Sequence, residues 1–308
     1  MEILALPALT PEHAPARTVV ALGVFDGVHI AHAAVLSRAR AEAEARGLPL
    51  LVFTFSLSDG PKHEPLLSDE GERAALLTAA GASYLAVGRF SALATLAPER
   101  FVEEVLVASL GAVCAVVGED FRFGHGARGD AGMLAASLAA RGGDTVAVPP
   151  VLLEGERVSS SRIRAALLAG DVEAAARLLG RPYSVTAPVL RGRHLGHTLG
   201  FPTANQRLPA ERVLPAHGVY VTTVTLPDGR RMRGVTDIGT RPTVGGEEIR
   251  METHIPGFSG DLYGRVLTVA FLARLRGERK FGSLSALAEQ IAKDCKEVRL
   301  WNAPNGHN

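Results

Sequence analysis

At 308 residues the chain exceeds a typical single domain, so two domains, each large enough to bury its own core, are the default expectation. Lys and Arg number 33 against 32 Asp and Glu, a formal net charge of +1, which argues against a large polyanion-binding surface and so against nucleic acid as a partner. No run of about 18 apolar residues occurs, and Met1-Glu2-Ile3-Leu4 lacks a basic stretch ahead of an apolar one, so a soluble, cytoplasmic protein with no membrane partner is expected.

From residue 17 to about 180, short apolar or β-branched runs alternate with longer segments rich in Ala, Leu, Glu and Arg. Strands are predicted at 18–22, 50–55, 84–87, 112–117 and 145–148, with helices at 33–46, 69–80, 98–110 and 130–140. This alternation implies βαβ units and a Rossmann-like, doubly wound parallel sheet, whose ligands sit beyond the carboxyl ends of the strands. Gly47, Gly81 and Gly111 stand where helices must stop. Two short helices follow, at 159–168 and 172–179.

The texture changes after Gly180-Arg181-Pro182-Tyr183. Strands are predicted at 185–190, 219–226, 232–238, 249–255 and 266–272, with Asp228-Gly229 as a hairpin turn, and together they suggest a small antiparallel β-barrel. The expected domains are therefore 1–182 and 183–308. Leu284, Leu287, Ile291, Cys295 and Val298 recur at helical spacing, so a C-terminal amphipathic helix capped by Ser283 packs on the barrel, and the tail 301–308 frays. Cys114 and Cys295 have no CxxC partner and no His cluster, and read as reduced, inert thiols. The chain carries no signal for an oligomeric state.

Two segments carry chemistry. In the first, the strand at 18–22 runs through Gly23-Val24-Phe25-Asp26-Gly27-Val28-His29-Ile30-Ala31-His32 into a helix. A helix N-terminus offers unpaired N–H groups and a positive dipole end, Gly23 and Gly27 let the chain approach a phosphate, and His29 and His32 can point to one side and donate to its oxygens. In the second, Gly196-His-Thr-Leu-Gly200-Phe201-Pro202-Thr203-Ala204-Asn205 places two glycines before a Pro-fixed turn bearing a hydroxyl and an amide. Neutral oxygens of this kind complete the shell of a magnesium ion that phosphates mostly neutralise, so the stretch is a candidate Mg-nucleotide loop.

The second segment resembles the Pro-Thr-Ala-Asn signature of riboflavin kinases, and Gly218-Val219-Tyr220, Gly239-Thr240-Arg241-Pro242-Thr243, Glu252-Thr253-His254 and Asp261-Leu262-Tyr263-Gly264 follow in the matching order. The first segment resembles the HxGH signature of nucleotidyltransferases, with Ala31 in place of Gly. Nearly the whole chain is thereby similar to the bifunctional bacterial riboflavin kinase/FAD synthetase family. The resemblance implies a nucleotidyltransferase-type α/β domain that joins FMN to ATP, yielding FAD and pyrophosphate, and a barrel that phosphorylates riboflavin to FMN.

It further implies Mg²⁺, with Thr203 and Asn205 as metal and phosphate ligands, ATP as co-substrate, and flavin as substrate and product. Glu252 aligns with the kinase base, and Gly192, Gly196, Gly200, Pro202 and Arg241 with its nucleotide contacts. Gly23, Phe25, Asp26, Gly27, His29 and His32 belong to the adenylylation site, as does the flavin- and nucleotide-proximal loop with Asp120, Phe121, Arg122 and Phe123. Ser159, Ser160, Ser161 and Arg164 resemble the Ser-Ser-Thr-x-x-Arg signature and would cradle the β- and γ-phosphates. His194-Leu195-Gly196-His197 matches HxGH by letter but precedes no helix, and reads as kinase loop. Four further departures are Ser161 for Thr, Asp237 for Asn, Gly257 for an often acidic residue, and Ser56-Leu57-Ser58-Asp59-Gly60-Pro61 for the usual turn after Phe55. Ala31 is expected to crowd the nucleotide and weaken adenylyl transfer. A kinase-only protein with an impaired first domain, and a flavin-binding regulator without turnover, are the competing readings.

Overall fold

The computed structural model describes residues 1–5, 15–59, 64–191, 199–208, 211–243 and 246–302. It forms two compact bodies, Met1–Ser160 and Ser161–Asn308.

The first body is built on six parallel strands, β1 (Glu2–Ala5), β2 (Thr18–Leu22), β3 (Leu50–Phe55), β4 (Tyr84–Gly88), β5 (Ala112–Gly118) and β6 (Asp144–Val148), in the order β1-β4-β3-β2-β5-β6. Every residue of β2 is buried, as expected for a central strand covered on both faces. Its side chains alternate: Val19 and Ala21 pack with Val35, Leu36 and Ala39 of α1 (Ile30–Arg46), while Val20 and Leu22 pack with Val102, Val105 and Leu106 and with Leu134 and Leu138 of a helix spanning Ala131–Ala139. Gly47 ends α1 in the left-handed region (φ 62°), its N–H reaching Ala43 and Glu44 carbonyls, a conformation that a Cβ would strain.

Two features of this body differ from the expected pattern. β1 was not anticipated, because four residues at a sheet edge carry too little periodicity to register. The single helix expected at 98–110 is a short α-turn, Pro98–Arg100, followed by a π-helix, Phe101–Ser109. Its buried residues repeat at 101, 105 and 109 and at 102 and 106, a spacing of four without the drift of an α-helix, and the Ser109 hydroxyl donates to the Glu104 carbonyl at 2.6 Å.

In the second body a closed antiparallel barrel is formed by β7 (Ser184–Leu190), β8 (Thr203–Arg207), β9 (Gly218–Thr225), β10 (Arg231–Thr243), β11 (Gly246–His254) and β12 (Val266–Arg276), ordered β7-β8-β11-β10-β9-β12. β8 was expected as a turn; Pro202 ends the turn, and Thr203 opens a strand that pairs with both β7 and β11. The Asp228-Gly229 hairpin is present, closed by Leu226 N–H on the Arg230 carbonyl. Helices Ser160–Ala169 and Val172–Leu179 are tied to the barrel, Arg274 Nη1 donating to the Ala169 carbonyl at 3.3 Å.

Helix α2 (Leu284–Leu300) begins at the Ser283 cap, whose side chain accepts the Ala286 N–H. Cys295 and Val298 pack on Val219, Val221, Val235 and Ala273 of the barrel's outer wall, whereas Leu284, the first member of the expected stripe, is exposed. The Asp294 carboxylate, 2% exposed, takes Arg276 Nη2 at 2.7 Å and Nε at 3.2 Å, and Gln290 Nε2 at 2.8 Å. Asp294→Ala strands the nearly buried Arg276 guanidinium and is expected to cost about 3 kcal/mol or more, measured as a lowered urea midpoint of the barrel unit.

Candidate active sites

In the first body, the strand order reverses between β2 and β5, and a doubly wound sheet opens its ligand crevice beyond the carboxyl ends at that point. The segment after β2 is 23–29, and the segment after β5 holds Asp120, Phe121, Arg122 and Phe123, so the switch point brings together two motifs almost a hundred residues apart in sequence.

His29 caps α1 with an extended backbone, its Nδ1 accepting the His32 N–H at 3.3 Å. A neutral His29 therefore carries its proton on Nε2. The two rings stack, with centroids 3.6 Å apart and planes 13° from parallel. Burial, and then the His29 charge, push the His32 pKa well below its ordinary value, so this ring is neutral at physiological pH.

Three residues expected to touch ligand are instead packed into the protein. Phe25 is 1% exposed within the α1 core, and Phe123 is 6% exposed against Phe101 and Phe121. The buried Asp26 carboxylate accepts the N–H groups of Leu67 and Ser68 at 3.0–3.1 Å, because a short anionic side chain inside the fold must find donors there. Gly27 has φ 75° and donates to Ser68 Oγ; Gly23 packs its Cα against the Phe25 ring. Asp120 pairs with Arg157, and Arg122 lies 3.6 Å from Asp130. Ser160 opens its helix and donates to the Asp26 carbonyl at 3.3 Å; Ser159 is half-buried, Ser161 exposed and Arg164 half-buried. Ala31 lies inside α1 and is not among the residues with positive φ, so it imposes no backbone strain.

The barrel assembles its site through strand register. Asn205 of β8 stands opposite Glu252 of β11, which stands opposite Asp237 of β10; the next rung is Thr203, His254 and Val235. Directly opposed residues share a face. Val235 and Val219 lie on the outer wall beneath α2, so Asn205, Glu252 and Asp237 open outward, not into the lumen, where Thr222, Thr236 and Thr253 share hydroxyl bonds of 2.8 and 3.0 Å.

A cavity of about 650 Å³ covers these rungs, lined by Thr203, Asp237, Glu252 and His254 on the strands and Leu287, Ile291 and Asp294 on α2. A second cavity of about 440 Å³ reaches Thr203 from another side and is walled by Pro202, Ile255, Phe258, Leu262 and Tyr263. Asn205 Nδ2 donates to Thr203 Oγ1 at 3.1 Å, which leaves the amide Oδ1 and the hydroxyl oxygen as neutral donors side by side. His254 Nδ1 lies 2.9 Å from the Pro202 carbonyl. Gly200 has φ 82°. Gly239 is closed over by Glu278, whose Oε1 would sit 2.3 Å from a Cβ at that position. Gly192, Gly196 and the 194–197 HxGH match lie outside the described residues, as does the Arg241 side chain.

Burial raises the Glu252 pKa, with Arg250 opposing. Asp237 is pushed up to about 6 by enclosure, then by the charges of Glu278 and Glu252, with Arg276 opposing. Among the described residues no three His, Cys, Asp or Glu side chains are grouped to hold a metal ion.

A riboflavin kinase family model matches residues 179–302, and an FAD synthetase family model matches residues 11–162. A bifunctional riboflavin kinase/FMN adenylyltransferase of Pseudomonas fluorescens is 40% identical over 97% of each chain. Proteins of the same description from Escherichia coli K12 (36% identity, 90% of each chain) and Bacillus subtilis 168 (35% identity, 92% of each chain) are also similar. This chain belongs to the bifunctional riboflavin kinase/FMN adenylyltransferase family. The crystal structure of a macrolide-efflux protein from Streptococcus pneumoniae has the same fold, with TM-score 0.90 and 32% identity over 98% of this chain and 100% of that one. Among the described residues of this family member, no helix is long and apolar enough to cross a membrane.

Arg276, Glu278, Phe281 and Asp294 line the larger cavity yet had no signal of their own in the sequence, because only the return of the C-terminal segment onto the outer wall brings them to Glu252. The strained ionisation of Asp237 gives a test. Since the folded protein holds its proton up to about pH 6 and the unfolded chain only to about 4, ionised Asp237 destabilises the barrel above that window. Asp237→Asn should raise the thermal midpoint at neutral pH, and the gain should vanish as the pH is lowered towards 4.

Proposed function

We infer that this protein makes flavin cofactors in two steps: the barrel unit transfers the γ-phosphoryl group of ATP to riboflavin, and the α/β unit joins the resulting FMN to the AMP moiety of ATP with release of pyrophosphate. The pairing of Glu252 with Asn205 and Asp237 across the strands supports this most directly, since Glu252, a carboxylate of raised pKa, lines one cavity with Thr203, whose hydroxyl is hydrogen-bonded to the Asn205 amide. Phosphoryl transfer to a hydroxyl needs a group that takes its proton, and donors that position the nucleotide.

In the kinase step the flavin ring occupies the larger cavity against Leu287 and Ile291, and the nucleotide occupies the smaller one between Phe258 and Tyr263. Both cavities reach Thr203, where the phosphates meet the ribityl end of the flavin. Glu252 orients the terminal hydroxyl and accepts its proton as the phosphoryl group leaves ATP. Thr203 Oγ1 and Asn205 Oδ1 suit Mg²⁺, because neutral oxygens without a clustered carboxylate set match a cation whose other ligands are phosphate and water. When bound, Mg²⁺ neutralises charge on the transferring phosphates.

In the adenylylation step the N-terminus of α1 and the His29 Nε2–H hold the nucleotide phosphates, while the phosphate of FMN attacks the α-phosphorus. His32, kept neutral, acts as a donor or stacking partner and adds no charge. Ser159 and Ser160 complete the phosphate cradle. Because Ala31 sits unstrained in the helix, the kinase-only reading loses its backbone argument, and only a steric weakening of FAD synthesis remains. We assign adenylylation to residues 1–182 and kinase activity to 183–308, and place the protein in the cytoplasm with its ATP supply.

Glu252→Gln should lower FMN formation from riboflavin by about 100-fold or more and spare FAD formation from supplied FMN; His29→Ala should do the reverse. Chromatography of flavin products reads both, and loss of both activities in either folded variant would sink the division of labour. Thr203→Ala should raise the Mg²⁺ concentration needed for half-maximal kinase rate and leave the adenylylation requirement unchanged.

A further inference from the structure

Between Leu22 and α1 the backbone follows a path its own residues resist. Phe25 has φ 53° and Val28, branched at Cβ, has φ 37°. Bulky residues rarely take this conformation, and it persists only where the surroundings impose it. Its direct product is the pose of His29: Val28 delivers the extended His29 backbone (φ −79°, ψ 175°), and this in turn places the ring so that Nδ1 caps α1 and stacks on His32.

The groups that impose this path come from outside the motif. The segment Leu67-Ser68 turns both its N–H groups onto the Asp26 carboxylate, and Ser68 Oγ accepts the Gly27 N–H at 3.1 Å. These bonds grip the two residues lying between Phe25 and Val28. Arg73, fully buried, spreads its guanidinium behind the same loop: Nη1 donates to the Val24 carbonyl at 3.1 Å, the Phe55 carbonyl at 2.9 Å and Thr54 Oγ1 at 3.3 Å, while Nη2 holds Glu70 at 2.5 Å. Thr54 Oγ1 itself donates to the Val24 carbonyl at 2.8 Å. The loop is thus pinned on both sides of Phe25, by Arg73 before it and by Ser68 after it.

We propose that Ser68 and Arg73 are positioning residues of the adenylylation step, holding the turn at 25–28 in its left-handed path and so aiming His29 at the reacting phosphates. The proposal rests on the reading of the 23–32 segment as the adenylylation site. Ser68 touches the loop through its backbone and the Asp26 carboxylate, and Arg73 through a backbone carbonyl and Thr54, so both act through the loop's course. Arginine is required at 73, since one planar fork serves carbonyls and a carboxylate at once and an ammonium cannot.

The test uses the full-length protein with FMN and Mg-ATP, following pyrophosphate release, and with riboflavin and Mg-ATP as an internal control. Ser68→Ala and Arg73→Lys are each expected to lower kcat for FAD formation on the order of 10- to 100-fold, the effect of a small misplacement of a reacting group. KM for FMN should change little, and riboflavin phosphorylation should be untouched. Adenylylation at the wild-type rate in both variants would overturn the proposal. So would a loss that tracks unfolding of the α/β unit in both, or one that appears only in KM. If the wild-type protein itself releases no pyrophosphate with FMN, the reading of the site fails first, and that outcome is separate from a wild-type enzyme whose variants behave as it does.

Discussion

The barrel's chemistry depends on strand register. Side chains alternate faces along a strand, so a slip of one residue between β8 and β11 would turn Glu252 into the lumen and bring Thr253 out. The lumen resists that slip. Thr222, Thr236 and Thr253 satisfy one another there, Gln206 Nε2 bridges the carbonyls of Ala187 and Leu267, and a carboxylate in their place would be buried without a partner. Interior hydrogen bonding therefore sets which face carries the Glu252 carboxylate, and the outer wall supplies the rest. Arg276 and Asp294 clamp α2 over the rungs, making an open strand face into a cavity whose partial burial of Glu252 and Asp237 raises their proton affinity.

The α/β unit solves a similar problem with different parts. The central strand of its sheet is fully buried, and the loop that leaves it at the switch point ends on His29, with His32 one turn into α1. A loop made of ordinary residues would relax. Here a buried carboxylate, a serine hydroxyl and a guanidinium hold its backbone from behind, at distances of about 3 Å, and the histidine ring inherits its direction from that backbone. Polar groups that a motif reader would assign to ligand, Asp26 above all, are occupied in shaping the site.

Much of this organisation was legible in the chain. The alternation of β-branched runs with Ala- and Leu-rich helical segments reported a parallel sheet, because buried strands and amphipathic helices differ in period, and the observed strands β2 to β6 begin and end within a residue of the expected limits. The change of texture after Pro182 reported the barrel. Four-residue β1 and the five-residue β8 escaped, one for want of periodicity and the other because Pro202 and the preceding glycines read as loop. The π-winding of Phe101–Ser109 escaped because its apolar positions also satisfy an α-helix over so short a span.

The sequence alone determined the residue types at the candidate site positions and their local setting: a histidine at a helix N-terminus, a hydroxyl and an amide two residues apart, a carboxylate two residues from His254. Those follow from short-range geometry, which a chain carries in its order. Only the tertiary structure decided which of these residues meet and which are spent inside. The Asn205–Glu252–Asp237 rung, the closure of the cavity by α2 and the capture of Asp26 by Leu67 and Ser68 are pairings across tens of residues. They are set by register, burial and hydrogen-bond satisfaction over the whole domain, and no local pattern encodes them.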